Sequence, residues 1–165
     1  MTAGDSAEVL DIVLCDDAIF EGNEYLNVTL ASNSDSYGLG AMPSMYITLV
    51  DNAGPPLVAF ASAATASITE GASGVTSVLV DVELSHASVY PISVDLTSTG
   101  SATSLDDVIS GISTGQVDYY LSTNQLIFPA GVTSVSVLVT VVGDNYIEEN
   151  EGITLSILNL SLIHI

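Results

Sequence analysis

Carboxylates recur at matched positions in two stretches of the chain, Asp17-Ala-Ile-Phe-Glu-Gly-Asn-Glu24 and Asp144-Asn-Tyr-Ile-Glu-Glu-Asn-Glu151. Each opens on Asp, carries Glu in the middle and closes on Asn-Glu. Such a loop suits a hard divalent cation, because calcium takes roughly six to eight oxygens at about 2.3–2.6 Å from carboxylates, carbonyls and water. The spacing is not that of an EF-hand, since Asp-x-Asp/Asn-x-Asp/Asn-Gly is absent, and there is no Gly-Gly-x-Gly-x-Asp array. The competing reading is a solvated acidic hairpin, for charge runs between strands are common.

Composition bears on that choice. The chain has no Lys or Arg against twenty Asp and Glu, a formal net charge of -20. Its carboxylates therefore have no ammonium or guanidinium to pair with. Two like charges ~4 Å apart repel by about 1 kcal/mol even in water. Divalent cations relieve this specifically, whereas a saline medium relieves it by screening. Without cationic side chains to neutralise phosphates, nucleic acid is not a partner. Anionic membrane surfaces are excluded on the same ground.

Catalysis finds little support. His86 stands in the polar turn Leu84-Ser-His-Ala-Ser88 without an arguable nucleophile or carboxylate partner, and reads as a surface residue. The carboxylates could in principle serve a glycosidase, but Trp is absent and no aromatic-lined cleft is legible. An enzyme would need a catalytic domain elsewhere in a longer chain. Lone Cys15 cannot form an internal disulfide and reads as a core residue of a strand. Asn27-Val-Thr29 and Asn159-Leu-Ser161 match the glycosylation pattern, as Ser- and Thr-rich strands do by chance.

The elements that must hold the acidic loops are strands. Val75–Leu84, Ile92–Leu96 and Val132–Val142 alternate apolar with small polar residues, a period of two that gives one buried face. Turn chemistry separates them at Gly71–Gly74, Ser98–Ser101, Phe128–Gly131 and Gly143–Asn145, and no amphipathic helix is legible. The pattern predicts an all-β protein, an antiparallel sandwich.

An internal repeat organises the chain. Residues 3–32 overlie 130–159 at an offset of 127, so that Asp17 falls on Asp144, Glu21 on Glu148, Asn23 on Asn150 and Glu24 on Glu151. Residues 1–52 then form the C-terminal part of a first unit, with strands near 7–15, 25–31 and 45–50. Residues 53–56 are a linker. Residues 57–165 form a second unit, with strands near 57–61, 65–69, 75–84, 91–97, 124–128, 133–142 and 152–159, lacking a closing strand. An unpaired edge at that place predicts self-association. The start, Met1-Thr-Ala-Gly-Asp5, does not resemble a signal peptide, and Met1 is expected not to be the biological start. The tail Leu160–Ile165 departs from the repeat, so His164 carries no functional weight.

With these features in place, the second unit resembles a Calx-beta domain, the module of sodium–calcium exchanger regulatory regions and of many large surface proteins. The match is carried in order by Val58-Ala-Phe60, Ile68-Thr-Glu-Gly71, Leu84–Ser88, Gly100-Ser-Ala102, Val117-Asp-Tyr119, Leu126–Gly131 and Asp144–Glu151. It implies a seven-stranded immunoglobulin-like, Greek-key sandwich with calcium in loops at one end. It also implies the ligands: Asp144, the Tyr146 carbonyl, Glu148 and Glu151, joined by Glu70 and Asp118. In the first unit Asp17, the Ile19 carbonyl, Glu21 and Glu24 repeat the set with Asp51, making a partial site to which Asp16 is a further candidate. The family passes directly from the Gly-Ser-Ala turn to Asp-Tyr, whereas Thr103–Gln116 is inserted here. Which of Asp106, Asp107 and Asp118 faces the metal stays open.

The functional expectation is a calcium-binding repeat of a secreted or cell-surface protein, with calcium rigidifying the loops and the junction after Asp51. Its partners would be neighbouring repeats and a cell-surface or matrix ligand. The alternative is an adhesive module whose acidity reflects a saline habitat.

Overall fold

Two long strands with the strictest alternation form the centre of the molecule. A computed structural model describes residues 7–32, 38–61, 67–109 and 116–162. In it β4 (Gly74–Leu84) pairs antiparallel with β8 (Ser134–Gly143) from Gly74↔Gly143 to Glu83↔Ser134. The period of two sends Val78, Val80, Val82 and Leu84 inward on β4 while Leu79, Asp81 and Glu83 face out. Strand β3 (Val58–Phe60) adds to β4, and β6 (Tyr119–Leu121) adds to β8, giving a sheet of order β3-β4-β8-β6.

A second sheet has the order β7-β5-β9, from β5 (Ile92–Gly100), β7 (Gln125–Phe128) and β9 (Ile153–Leu162). The inner faces of the two sheets supply one core of Val82, Leu84, Ile92, Val94, Leu96, Leu126, Phe128 and Val137. Each such side chain contributes about 1.5–3 kcal/mol on leaving water. Among the described residues, the pairings of named strands are all antiparallel. The all-β antiparallel sandwich expected from the alternation is the fold observed. A bulge between Val94 and Asp95 shifts the β5–β9 register, and Asn159 takes it up at a φ of 46°.

Ahead of this sandwich, β1 (Glu24–Thr29) and β2 (Ser44–Leu49) form a separate antiparallel pair. The expected strand at 7–15 is not one: these residues are irregular and exposed. Its counterpart β8 is clamped between β4 and β6, and residues 7–15 have no such neighbours among the described residues. Cys15 is accordingly exposed rather than a core residue. The strand expected at 65–69 falls partly outside the described residues, and 67–70 are irregular.

One helical turn, too short to be an amphipathic helix, interrupts the strands. Helix α1 (Leu105–Ile109) lies in the inserted segment. Ser104 accepts the Asp107 N–H at 3.0 Å, and its hydroxyl donates to the Asp107 carboxylate at 2.7 Å. That is a serine N-cap, tightened by a side-chain bond to the same Asp107. Ser104-Leu-Asp-Asp107 carried the signal in the sequence.

Candidate metal centre

Three carboxylates of the second unit converge. Ligand oxygens of Asp118, Glu148 and Glu151 all lie within 4.8 Å of one another. Asp118 immediately precedes β6, and Glu151 stands two residues before β9. Strand pairing and loop closure thus bring Asp118 together with residues thirty and thirty-three positions later onto one end of the sandwich.

Asp118 is the anchored member. Its backbone N–H donates to the Thr103 carbonyl at 2.9 Å, and its own carbonyl accepts from Val142 N–H at 2.7 Å. Its carboxylate accepts the Thr103 N–H at 2.5 Å. Asp106 and Asp107 belong to α1 instead, where Asp107 is held by the cap. The cluster contains neither of them.

Electrostatics register the crowding. The Glu151 carboxyl is pushed above its ordinary value of 4.5 by burial, then by a hydrogen bond and charge from Asp118, and then by Glu148 and Glu70. Glu148 is pushed up by burial, followed by Asp118, Asp144 and Glu70. Glu70 and Asp144 therefore border the cluster without belonging to its tightest group. Like charges gathered this closely favour protonation, unless a cation takes the proton's place.

Glycines set the approach of the loops. A Cβ on Gly143 would stand 2.1 Å from the Gly71 carbonyl oxygen, and one on Gly100 would stand 1.9 Å from that of Gly152. Only hydrogen fits at either contact. The first brings the loop of Glu70 against the strand end that carries Asp144; the second brings Gly152, next to Glu151, against the end of β5. Ser101 secures the latter, its hydroxyl accepting Gly152 N–H at 3.0 Å and its N–H donating to the Gly152 carbonyl at 3.1 Å. The sequence marked Gly71, Gly100, Ser101 and Gly143 as turn residues without showing these contacts, although a glycine adjoins each of Glu70, Asp144 and Glu151.

The first unit repeats part of this. Asp17 Oδ1 accepts Ile19 N–H at 2.9 Å, as Asp144 Oδ1 accepts Tyr146 N–H at 2.7 Å, so both loops open on the same Asx turn. Glu21 is raised above 4.5 mainly by Asp17, then by burial, Glu24 and Asp51, so these charges stand near Glu21, yet among the described residues they form no group as tight as Asp118, Glu148 and Glu151. Asp51 is already engaged. It accepts N–H groups from Glu21 (2.8 Å), Gly22 (2.7 Å) and Ala53 (2.8 Å), which lower its pKa from 3.8 against the opposing effect of burial. Asp16 accepts from the Asn52 amide at 2.7 Å.

The linker then joins this loop to the second unit. His86 Nε2 donates to the Gly54 carbonyl at 2.7 Å, while Nδ1 meets the Ser85 hydroxyl at 2.9 Å. Pro56 is buried. Asp17, Ala18, Asn52, Ala53, Gly54 and His86 line an open depression of about 390 Å³ there.

The Calx-beta domain model matches residues 2–54 and again residues 63–164. The chain belongs to the Calx-beta family. It holds a partial domain followed by a nearly complete one. No curated protein matches it. Calx-beta domains are non-catalytic, are associated in general with calcium binding, and occur in extracellular or cell-surface regions of proteins. Among the described residues no helix is long and apolar enough to cross a membrane.

Proposed function

We propose that this Calx-beta segment is a calcium-binding repeat of a large secreted or cell-surface protein, in which the ion fixes the acidic loops and the inter-unit junction. The observation that carries the reading is the convergence of Asp118, Glu148 and Glu151 within 4.8 Å in a chain without Lys or Arg. Three carboxylates in reach of one another offer the oxygen donors that a hard cation takes. Glu70 and Asp144 stand close enough to act on the charges of that group. Bound there, calcium would supply charge neutralisation and a rigid link between the loops before β6 and β9; it would take no part in a reaction.

In the first unit the same role falls to Asp17, Glu21 and Glu24, with the Asp51 carboxylate already tied to backbone amides. We expect the weaker site there. Neighbouring repeats are the structural partners in this reading, and a cell-surface or matrix ligand is the external one.

Thermal melting tests it. An ion that binds only the folded state at a hundredfold excess over its dissociation constant stabilises by ~2.7 kcal/mol. For a chain of this size that raises the melting temperature by roughly 5–10 °C. Calcium should produce the rise, chelator should reverse it, and sodium chloride at equal ionic strength should not reproduce it. Equal rises with both salts would favour the saline-habitat alternative.

A further inference from the structure

Phe20, in the middle of the first acidic loop, meets the second unit through its backbone and its ring. Its N–H donates to the Ala87 carbonyl at 2.9 Å, and its carbonyl accepts Val89 N–H at 3.0 Å, making a parallel bridge opposite Ser88. Its ring meets Tyr90 edge-on, with centroids 6.5 Å apart and planes at 66°. Ser88, beneath this bridge, is 2% exposed. The corner between β4 and β5 thus receives one apolar side chain and one stretch of backbone from the unit before it.

The repeat offset places Ile147 where Phe20 stands. Both residues follow the same Asx turn, and both are followed directly by the central Glu of the loop. Yet Phe20 is half-buried, and Ile147 is 102% exposed. An isoleucine held fully in water at the tip of a loop surrounded by carboxylates has no folding role in its own unit. Its repeat equivalent has a docking role.

We propose that Ile147 is the docking residue for another Calx-beta unit, received by a corner of the kind formed by Ser85–Tyr90. The contact would be the one Phe20 makes: two backbone hydrogen bonds about an apolar side chain. Within a single copy the corner is taken by Phe20, so Ile147 serves a further unit. This deepens the reading of the chain as one of a series of repeats and rests on it; Ile147 adjoins Glu148 in the acidic loop, but its side chain is not among the candidate ligands and the contact is read between chains. A failure here leaves the calcium-dependent melting untouched, and the reverse also holds.

The test strips the Phe20 ring from the corner and offers it Ile147 from a second chain. Full-length Phe20→Ala is labelled with 15N and titrated with unlabelled wild-type chain up to about 1 mM, the range of weak contacts. Salt is kept near 0.15 M to screen the two acidic surfaces. Phe20 lies outside the core cluster, so an unchanged amide pattern away from residues 85–90 is the folding control. Phe20→Asp is the second host, should Phe20→Ala not fold. The expected result is saturable shifts at Ala87, Val89 and Tyr90 with wild-type chain, at least a tenfold weaker response with Ile147→Asp chain, and none in labelled wild-type chain. Absence of shifts with wild-type chain, or equal shifts with Ile147→Asp, would overturn the proposal.

Discussion

The two acidic loops share a sequence pattern and an opening turn but dispose of their negative charge differently. In loop 17–24, backbone N–H groups come to Asp51, and that carboxyl is held below its ordinary value. In loop 144–151, Glu148 and Glu151 are held above theirs, first by burial and then by the carboxylates around them. A carboxylate that accepts several N–H bonds is stabilised as the anion, whereas carboxylates facing each other are not. Asp51 is therefore a satisfied structural joint, whereas Glu148 and Glu151, raised first by burial and then by their neighbours, and Glu21, raised first by Asp17, are the carboxylates that a cation would relieve. The same contrast appears in the loops' apolar residues, Phe20 seated against its neighbour and Ile147 in water.

The largest break in this comparison comes from Gly143→Ala. Its repeat counterpart is Asp16, so the close approach to Gly71 exists in the second unit alone. Forcing a methyl against that backbone should cost about 1–3 kcal/mol. We expect melting lowered by several degrees and calcium affinity reduced by at least tenfold, read by differential scanning calorimetry with and without calcium. Asp51→Ala comes next. It strips Glu21, Gly22 and Ala53 of their acceptor, so hydrogen exchange at these amides should quicken while β4 and β8 remain protected. Asp51→Asn, which keeps one acceptor oxygen, should fall between the two.

A smaller effect is expected from pH, with one sign for Glu21, Glu148 and Glu151, whose carboxyls are raised, and the opposite sign for Asp51, whose carboxyl is lowered. The raised Glu148 and Glu151 contribute stability that is fully present below their unfolded value of 4.5 and is lost as pH rises through their folded values. The lowered Asp51 contributes stability that is present above 3.8 and is lost as pH falls through its folded value. In chelator, acidification from neutrality toward 4.5 should therefore stabilise the second unit, and calcium should flatten that slope. Melting that is independent of pH over this range in chelator would count against crowded carboxylates.

Much of this was legible beforehand, where one physical rule decided the outcome. The alternation in 75–84 and 132–142 gave β4 and β8 because one face had to be buried, and the offset of 127 residues paired the loops. Residues 7–15 alternate as well, but a strand needs neighbours to bond to, and local pattern does not supply them. The cap of Ser104 on Asp107 was readable in four residues yet was obscured by the polarity of the insertion around it. The convergence of Asp118 with Glu148 and Glu151 depends on tertiary closure, and no local pattern separates Asp118 from Asp106 or Asp107. The glycine contacts at 71 and 143 are likewise invisible until two distant loops meet.

The central claim is that crowded carboxylates of the second unit hold calcium, and calorimetric titration tests it most directly. Wild-type chain, freed of metal, should bind calcium with a saturable heat and with a release of protons that grows as pH falls toward 4.5, because burial and the neighbouring carboxylates hold Glu148 and Glu151 above that value. Glu148→Ala combined with Glu151→Ala should abolish that binding while leaving the apo protein as stable as wild type or more so. Undiminished calcium binding by the double variant, or no binding by the wild type, would contradict the account.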